Sequence, residues 1–305
     1  MCVCGRKYCR GEEKQQGSMG VRGRATLAII FIIIVLFSLW LHDGLDNYWA
    51  YCRKDFFKED QSISLYRSNT SSEDIMPPLE VCPGQKFQAA YLLMHLQAAR
   101  FSTNDILLKP YLASWDELIK FIDSMGPMVG IMSQEIETKT SIIRKLAKKE
   151  EEERNQEVQD SASHGAYVSV RSMIVLELER GLVNFDQFTE SGCRTLLRLH
   201  RALLWLQLFL QSLAEEKREM MARSPSELCR KAYQLTLAQH HSWWVKKAAE
   251  LAFGAMPDRQ FFYKMLCVKT QAEATVLLNR VVKSIQKVYD RTQVALEEHD
   301  MLALP

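Results

Sequence analysis

Glu190-Ser-Gly-Cys-Arg-Thr-Leu-Leu-Arg-Leu-His-Arg-Ala-Leu-Leu-Trp-Leu-Gln-Leu-Phe-Leu210 places Arg194, Arg198 and Arg201 at i, i+4 and i+7. On a helix these three share one stripe, and the remaining faces are almost wholly apolar. Such a helix belongs in a core. Burying part of a charge without a partner costs several kcal/mol, by rough estimate, so the stripe requires carboxylates within the protein or an anion from outside it.

Working outward, helical periodicity dominates and strand-like alternation is scarce. The pattern predicts helices over Lys86–Arg100, Tyr111–Ser124, Val129–Lys149, Ala166–Arg180, Gly192–Ala214, Pro225–Leu237, Trp243–Phe253, Asp258–Leu266 and Gln271–Glu298. The expected body is therefore an all-α domain over residues 85–305, large enough for a single core. The Lys/Glu-rich run Arg144–Arg154 loses its apolar positions and reads as a solvated helix end passing into a loop.

The chain has 305 residues, 47% of them hydrophobic, and a formal net charge of only +2. That balance argues against a general nucleic-acid binder and leaves electrostatic work to local clusters. None of the eight cysteines has the close paired spacing of a zinc site, so no metal is expected.

Residues 25–41 carry no charge and are bounded by Arg22 and Arg24 before and Asp43 and Asp46 after, which reads as a transmembrane anchor, with a signal sequence as the rival. The basic tail 1–24 places the N-terminus in the cytosol and the body on the lumenal or extracellular side. Cys2, Cys4 and Cys9 in that tail are either palmitoylation sites or reduced thiols. Residues 42–84 are polar and irregular and read as a flexible tether containing the sequon Asn69-Thr70-Ser71.

Two further clusters carry chemistry. Glu135 and Lys139 stand one helical turn apart, as in many surface pairs. His240-His241-Ser242-Trp243-Trp244 cannot bury all its rings on one face, so some must meet solvent, a ligand or a membrane; one buried and one exposed Trp is the plainer alternative. His, Glu, Arg and Lys also serve phosphoryl chemistry, but a nucleophile motif and a metal-ligand cluster are both missing, so no catalytic residue is assigned.

Leu107-Leu-Lys-Pro-Tyr-Leu-Ala-Ser-Trp115, the Glu190–Leu210 stretch, Leu237-Ala-Gln-His-His-Ser-Trp243 and Glu298-His-Asp-Met-Leu-Ala-Leu-Pro305 resemble the glycolipid transfer protein superfamily, in its ceramide-1-phosphate transfer branch. The resemblance runs from about Phe87 to Pro305. It implies a two-layer helical sandwich with lipid chains in an apolar pocket and the headgroup in a surface cavity, and it implies no cofactor. By the family's motif the headgroup residues are Glu135, Lys139, Arg194, Arg198 and His241. Glu135 stands where the family usually has Asp, which binds the ceramide amide and hydroxyl. Arg198 stands where the glycolipid branch has a sugar-stacking Trp, and so points to phosphate.

Membrane docking is expected of Trp243, Lys246 and Lys247. The flanking apolar residues Leu197, Leu204, Leu208, Phe121, Ile142 and Ile143 are candidate pocket walls. The function so implied is non-enzymatic sphingolipid transfer between membranes. Its rival is an anchored module that binds ceramide 1-phosphate without shuttling it.

The resemblance favours a carrier on cytosolic leaflets, whereas the charge rule sends the domain out of the cytosol. A glycan on Asn69 requires lumenal exposure. Endoglycosidase treatment of the chain from eukaryotic cells should increase its gel mobility, and unchanged mobility for both wild type and Asn69→Gln would favour the cytosolic side.

Overall fold

The computed structural model describes residues 79–100, 104–157, 165–187 and 189–305. The anchor over 25–41, the Asn69 sequon, Cys52 and the N-terminal cysteines lie outside the described residues. Among the described residues no helix is long and apolar enough to cross a membrane.

Among the described residues ten helices form, in chain order: α1 Ala89–Ala99, α2 Leu108–Ser124, α3 Pro127–Glu157, α4 Val170–Glu179, α5 Gly192–Ala214, α6 Arg218–Met221, α7 Pro225–Leu235, α8 Trp243–Gly254, α9 Arg259–Met265 and α10 Gln271–Glu297. Short 3-10 turns cover Ala166–Val168, Leu237–His240 and Met301–Ala303. Extended pairing among the described residues is a single antiparallel bridge between Leu107 and Ser169.

Helix α5 is the hub, packed against α10, α3, α7 and α4. Leu196, Leu199, Leu203, Leu206 and Phe209 are fully buried, which answers its nearly all-round apolar sequence. Trp205 meets Phe253 of α8, and Phe209 meets Phe262 of α9 edge-on at 5.9 Å.

Both ends of α5 are closed by side chains from elsewhere. At the start, the Ser191 hydroxyl accepts from the Arg194 amide, and the wholly buried Glu177 accepts from the amides of Gly192 at 2.6 Å and Cys193 at 2.9 Å. Those donors have no partner within the helix, and a carboxylate suits the positive end of its dipole. Gly192 is required here, because a Cβ would lie 2.7 Å from both Glu177 Oε1 and Met173 Sδ. At the far end, Arg259 Nη1 and Gln271 Nε2 donate to the Leu213 carbonyl, and Thr275 Oγ1 donates to that of Ala214.

Three boundaries differ from the sequence expectation for local reasons. The helix expected over Ala166–Arg180 is interrupted at Ser169, which is extended and forms a capping box with Ser172 at the start of α4. Helix α3 runs through the charged run to Glu157, with Lys148–Glu152 and Lys149–Glu153 pairs along its face and Arg180 of the following turn reaching Glu153. Finally, the tether expected to continue to Gly84 is fastened earlier: Cys82 is buried and bonded to Cys267, and the Gln88 side chain that caps this segment delays α1 to Ala89.

Glu177→Ala should destabilise the domain by about 2–4 kcal/mol, because two buried amides and the Tyr167 hydroxyl lose their acceptor together. Denaturant titration checks it; a loss below about 0.5 kcal/mol would mean water replaces the carboxylate.

Candidate functional site

The arginine stripe lies on the N-terminal half of α5, where α3 crosses it and the Leu237–His240 turn arrives. Arg194 is only 7% exposed, while Arg198 and Arg201 are half-buried. Burial pushes all three guanidiniums below their ordinary pKa; the charge of Arg198 adds to it at Arg194 and Arg201, whereas at Arg198 itself Glu135 opposes it.

What these groups bond to decides the character of the site. Arg194 Nη1 donates to the Thr189 carbonyl at 3.3 Å. Arg198 donates to the carbonyl of Arg194 at 3.1 Å and to the main-chain oxygen of the last residue, Pro305, at 3.4 Å, and Arg201 to the carbonyl of Leu302 at 2.8 Å. Among the described residues, no side-chain carboxylate is hydrogen-bonded to Arg198 or Arg201. Internal carbonyls such as those of Arg194 and Leu302 satisfy a donor without neutralising its charge.

Lys139 and Glu135 face this row from α3. They form an ion pair at 2.7 Å, with Lys139 22% and Glu135 68% exposed. Such an open pair is worth little on its own account. Its carboxylate is nevertheless close enough to draw the pKa of both Arg198 and His241 upward against their desolvation. Glu135, Arg198 and His241 therefore converge from three segments of the chain.

His241 follows the 3-10 turn and is half-buried. Its Nδ1 lies 2.9 Å from the Tyr233 hydroxyl, and burial keeps Tyr233 protonated and able to donate. Where that hydroxyl donates to Nδ1, the proton of a neutral imidazole stands on Nε2. Desolvation, assisted by Lys246, lowers the His241 pKa while Glu135 raises it.

Beyond His241 the chain turns outward. Trp243 is 58% and Trp244 75% exposed, their rings meeting edge-on at 4.4 Å, so the alternative with one Trp in the core is not what the fold adopts. Lys247 Nζ stands 5.8 Å from the Trp243 ring centre, and Lys246 is exposed beside it.

Residues 106–268 match the family model described as glycolipid transfer protein. The ceramide-1-phosphate transfer protein of Rattus norvegicus is 34% identical over 73% of this chain and 99% of its own length. The chain belongs to the glycolipid transfer protein family.

The crystal structure of mouse ceramide-1-phosphate transfer protein in its apo form superposes with a TM-score of 0.62 at 34% identity, covering 72% of this chain and 100% of that one. The human protein in complex with 12:0 ceramide-1-phosphate gives 0.61 at 33% identity, covering 70% and 97%. The all-helical glycolipid transfer protein fold is thereby established, and the family is one of lipid transfer proteins.

Tyr233, which orients His241, and the C-terminal turn, whose carbonyls hold Arg198 and Arg201, were not singled out as site elements from sequence. The hydroxyl carries no motif of its own, and a carbonyl carries no residue identity at all. Of the candidate walls, Leu197, Phe121 and Ile143 are fully buried and Leu204, Leu208 and Ile142 partly so.

The His241 imidazole should titrate below the ordinary value of about 6.5. Glu135→Gln should move it further down, since the carboxylate is the group raising it. NMR titration of the ring carbons reads both, and an upward move in the variant would contradict the arrangement.

Proposed function

We propose that this chain is a non-enzymatic carrier of ceramide 1-phosphate, with the phosphate held by Arg194, Arg198 and Lys139. The observation that carries the reading is that Arg198 and Arg201, half-buried, rest on main-chain oxygens, with no side-chain carboxylate among the described residues bonded to either. A phosphomonoester brings the missing charge, between one and two negative units, and its oxygens match the planar fork of a guanidinium. Relatives named as ceramide-1-phosphate transfer proteins, one solved with that lipid bound, support the same class of ligand.

Binding then begins by opening the Glu135–Lys139 pair. Lys139 swings to the phosphate, and Glu135 accepts from the ceramide amide and hydroxyl. His241, held by Tyr233, presents Nε2–H to the amide oxygen. No bond to the lipid is made or broken in this scheme. Selectivity comes from refusal as well as attraction, because a neutral sugar would leave clustered guanidiniums desolvated and without an anion.

Docking uses the exposed Trp243 and Trp244, whose rings suit the headgroup zone, with Lys246 and Lys247 adding attraction to anionic lipid. The protein moves lipid if the chains withdraw into the interior, and acts as an anchored sensor if they do not.

Transfer of labelled lipid between vesicles tests the proposal. Ceramide 1-phosphate should move and galactosylceramide should not, and equal rates would reject the phosphate reading. Arg198→Ala should cut the ceramide 1-phosphate rate by roughly 10- to 100-fold, the loss of one charge-assisted contact. Trp243→Ala with Trp244→Ala should slow transfer while leaving binding in detergent unchanged. Tight binding with no intervesicle movement would favour the sensor.

A further inference from the structure

Cys82 and Cys267 are joined across 185 residues of sequence, their Cα atoms 5.8 Å apart, within the span that a disulfide requires. The bond ties the segment entering the domain to the turn between α9 and α10. Both halves are held in position by their surroundings.

On one side the Gln88 side chain clasps Cys82: its Oε1 accepts from the Cys82 amide at 2.7 Å, and its Nε2 donates to the Cys82 carbonyl at 2.8 Å. The Gln88 amide in turn donates to the buried Glu117 carboxylate at 3.1 Å, which ties the clasp to α2. On the other side Cys267 directly follows the C-cap of α9, with φ at 54°. Helices usually give that left-handed position to glycine, because a Cβ is crowded there. A cysteine at this place carries a standing conformational cost that the cross-link explains.

The other described cysteines behave differently. Cys193 and Cys229 are unbonded and buried, and burial pushes both thiols well above their ordinary range. They stay protonated and sealed, so they do not compete in exchange.

We infer that this domain folds and works on the oxidising side of a membrane, so that its headgroup site draws lipid from the lumenal or extracellular leaflet. The leaflet assignment rests on the carrier reading above; the side of the membrane rests on the cysteine pair and does not depend on that reading. Closure forms one S–S bond and breaks two S–H bonds. The two electrons and two protons pass to the disulfide of a thiol–disulfide oxidoreductase, which leaves as a dithiol. Secretory compartments supply that oxidant, whereas the cytosol keeps such pairs reduced. The basic residues ahead of 25–41 independently send the domain the same way.

The test uses the full chain in cultured eukaryotic cells. Intact cells are treated with membrane-permeant N-ethylmaleimide, the chain is denatured in excess reagent, then reduced and given a second maleimide of different mass. Peptide mass spectrometry should find the second label on Cys82 and Cys267 and the first on Cys193 and Cys229. The first label on Cys82 and Cys267 would overturn the inference.

As a second measurement, Cys82→Ser in detergent should lower the melting temperature by roughly 5–15 °C without reductant, and match reduced wild type with it. An unchanged melting temperature without reductant would also overturn it. Failure of the oxidised chain to transfer lipid would strike the carrier reading and leave the compartment standing. A reduced pair in cells would do the reverse.

Discussion

A row of guanidiniums on a helix whose other faces must be buried is the constraint on which the domain turns. Helix α5 cannot leave the core without exposing Leu196, Leu203, Leu206 and Phe209, and it cannot enter the core without drawing Arg194, Arg198 and Arg201 partly out of water. Charges in that position are usually matched by acids. Here the carbonyls of Arg194 and Leu302 receive Arg198 and Arg201, and no side-chain acid among the described residues is bonded to either. Dipoles of this kind fix the geometry of the forks and leave their charge uncancelled, whereas a built-in carboxylate would have to be displaced by every incoming ligand.

The fold does use a carboxylate nearby, but for a separate purpose. Glu177 sits against the first turn of α5 and takes the amides of Gly192 and Cys193 together with the Tyr167 hydroxyl. The amides that would otherwise attract an anion to the helix start are thereby occupied. In the proposed carrier, anion recognition then falls to the side chains of the stripe. The acid whose charge reaches Arg198, Glu135, is largely exposed and paired with Lys139, so both can change partners at small cost.

How much of this was legible depended on whether a feature is written in residue types or only in backbone. The stripe, the apolar faces of α5 and the run from His241 to Trp244 are residue patterns, and the periodicity that fixed nine of the helices is of the same kind. The break at Ser169 was missed because a Ser/Ser capping box competes locally with a helix pattern that continues through it. The Cys82–Cys267 bond could not be read from spacing, since its halves meet only after α1, α2 and α9 have packed. The carbonyls behind Arg198 and Arg201 leave no trace in sequence, as every residue has one.

The packed interior sets the remaining energetic condition. Leu197, Phe121 and Ile143 are closed against their neighbours, so chains cannot enter without helices separating. Separation exposes core surface, and each methylene that takes its place returns about 0.8 kcal/mol. A chain of a dozen or more carbons therefore offsets an opening of roughly 10 kcal/mol. In the proposed carrier a headgroup alone has no such compensation, so capture at the arginines would come first and opening follow. The exposed indoles of α8 are placed for that order, since α8 packs against both α3 and α7 and can feel the membrane before the interior does.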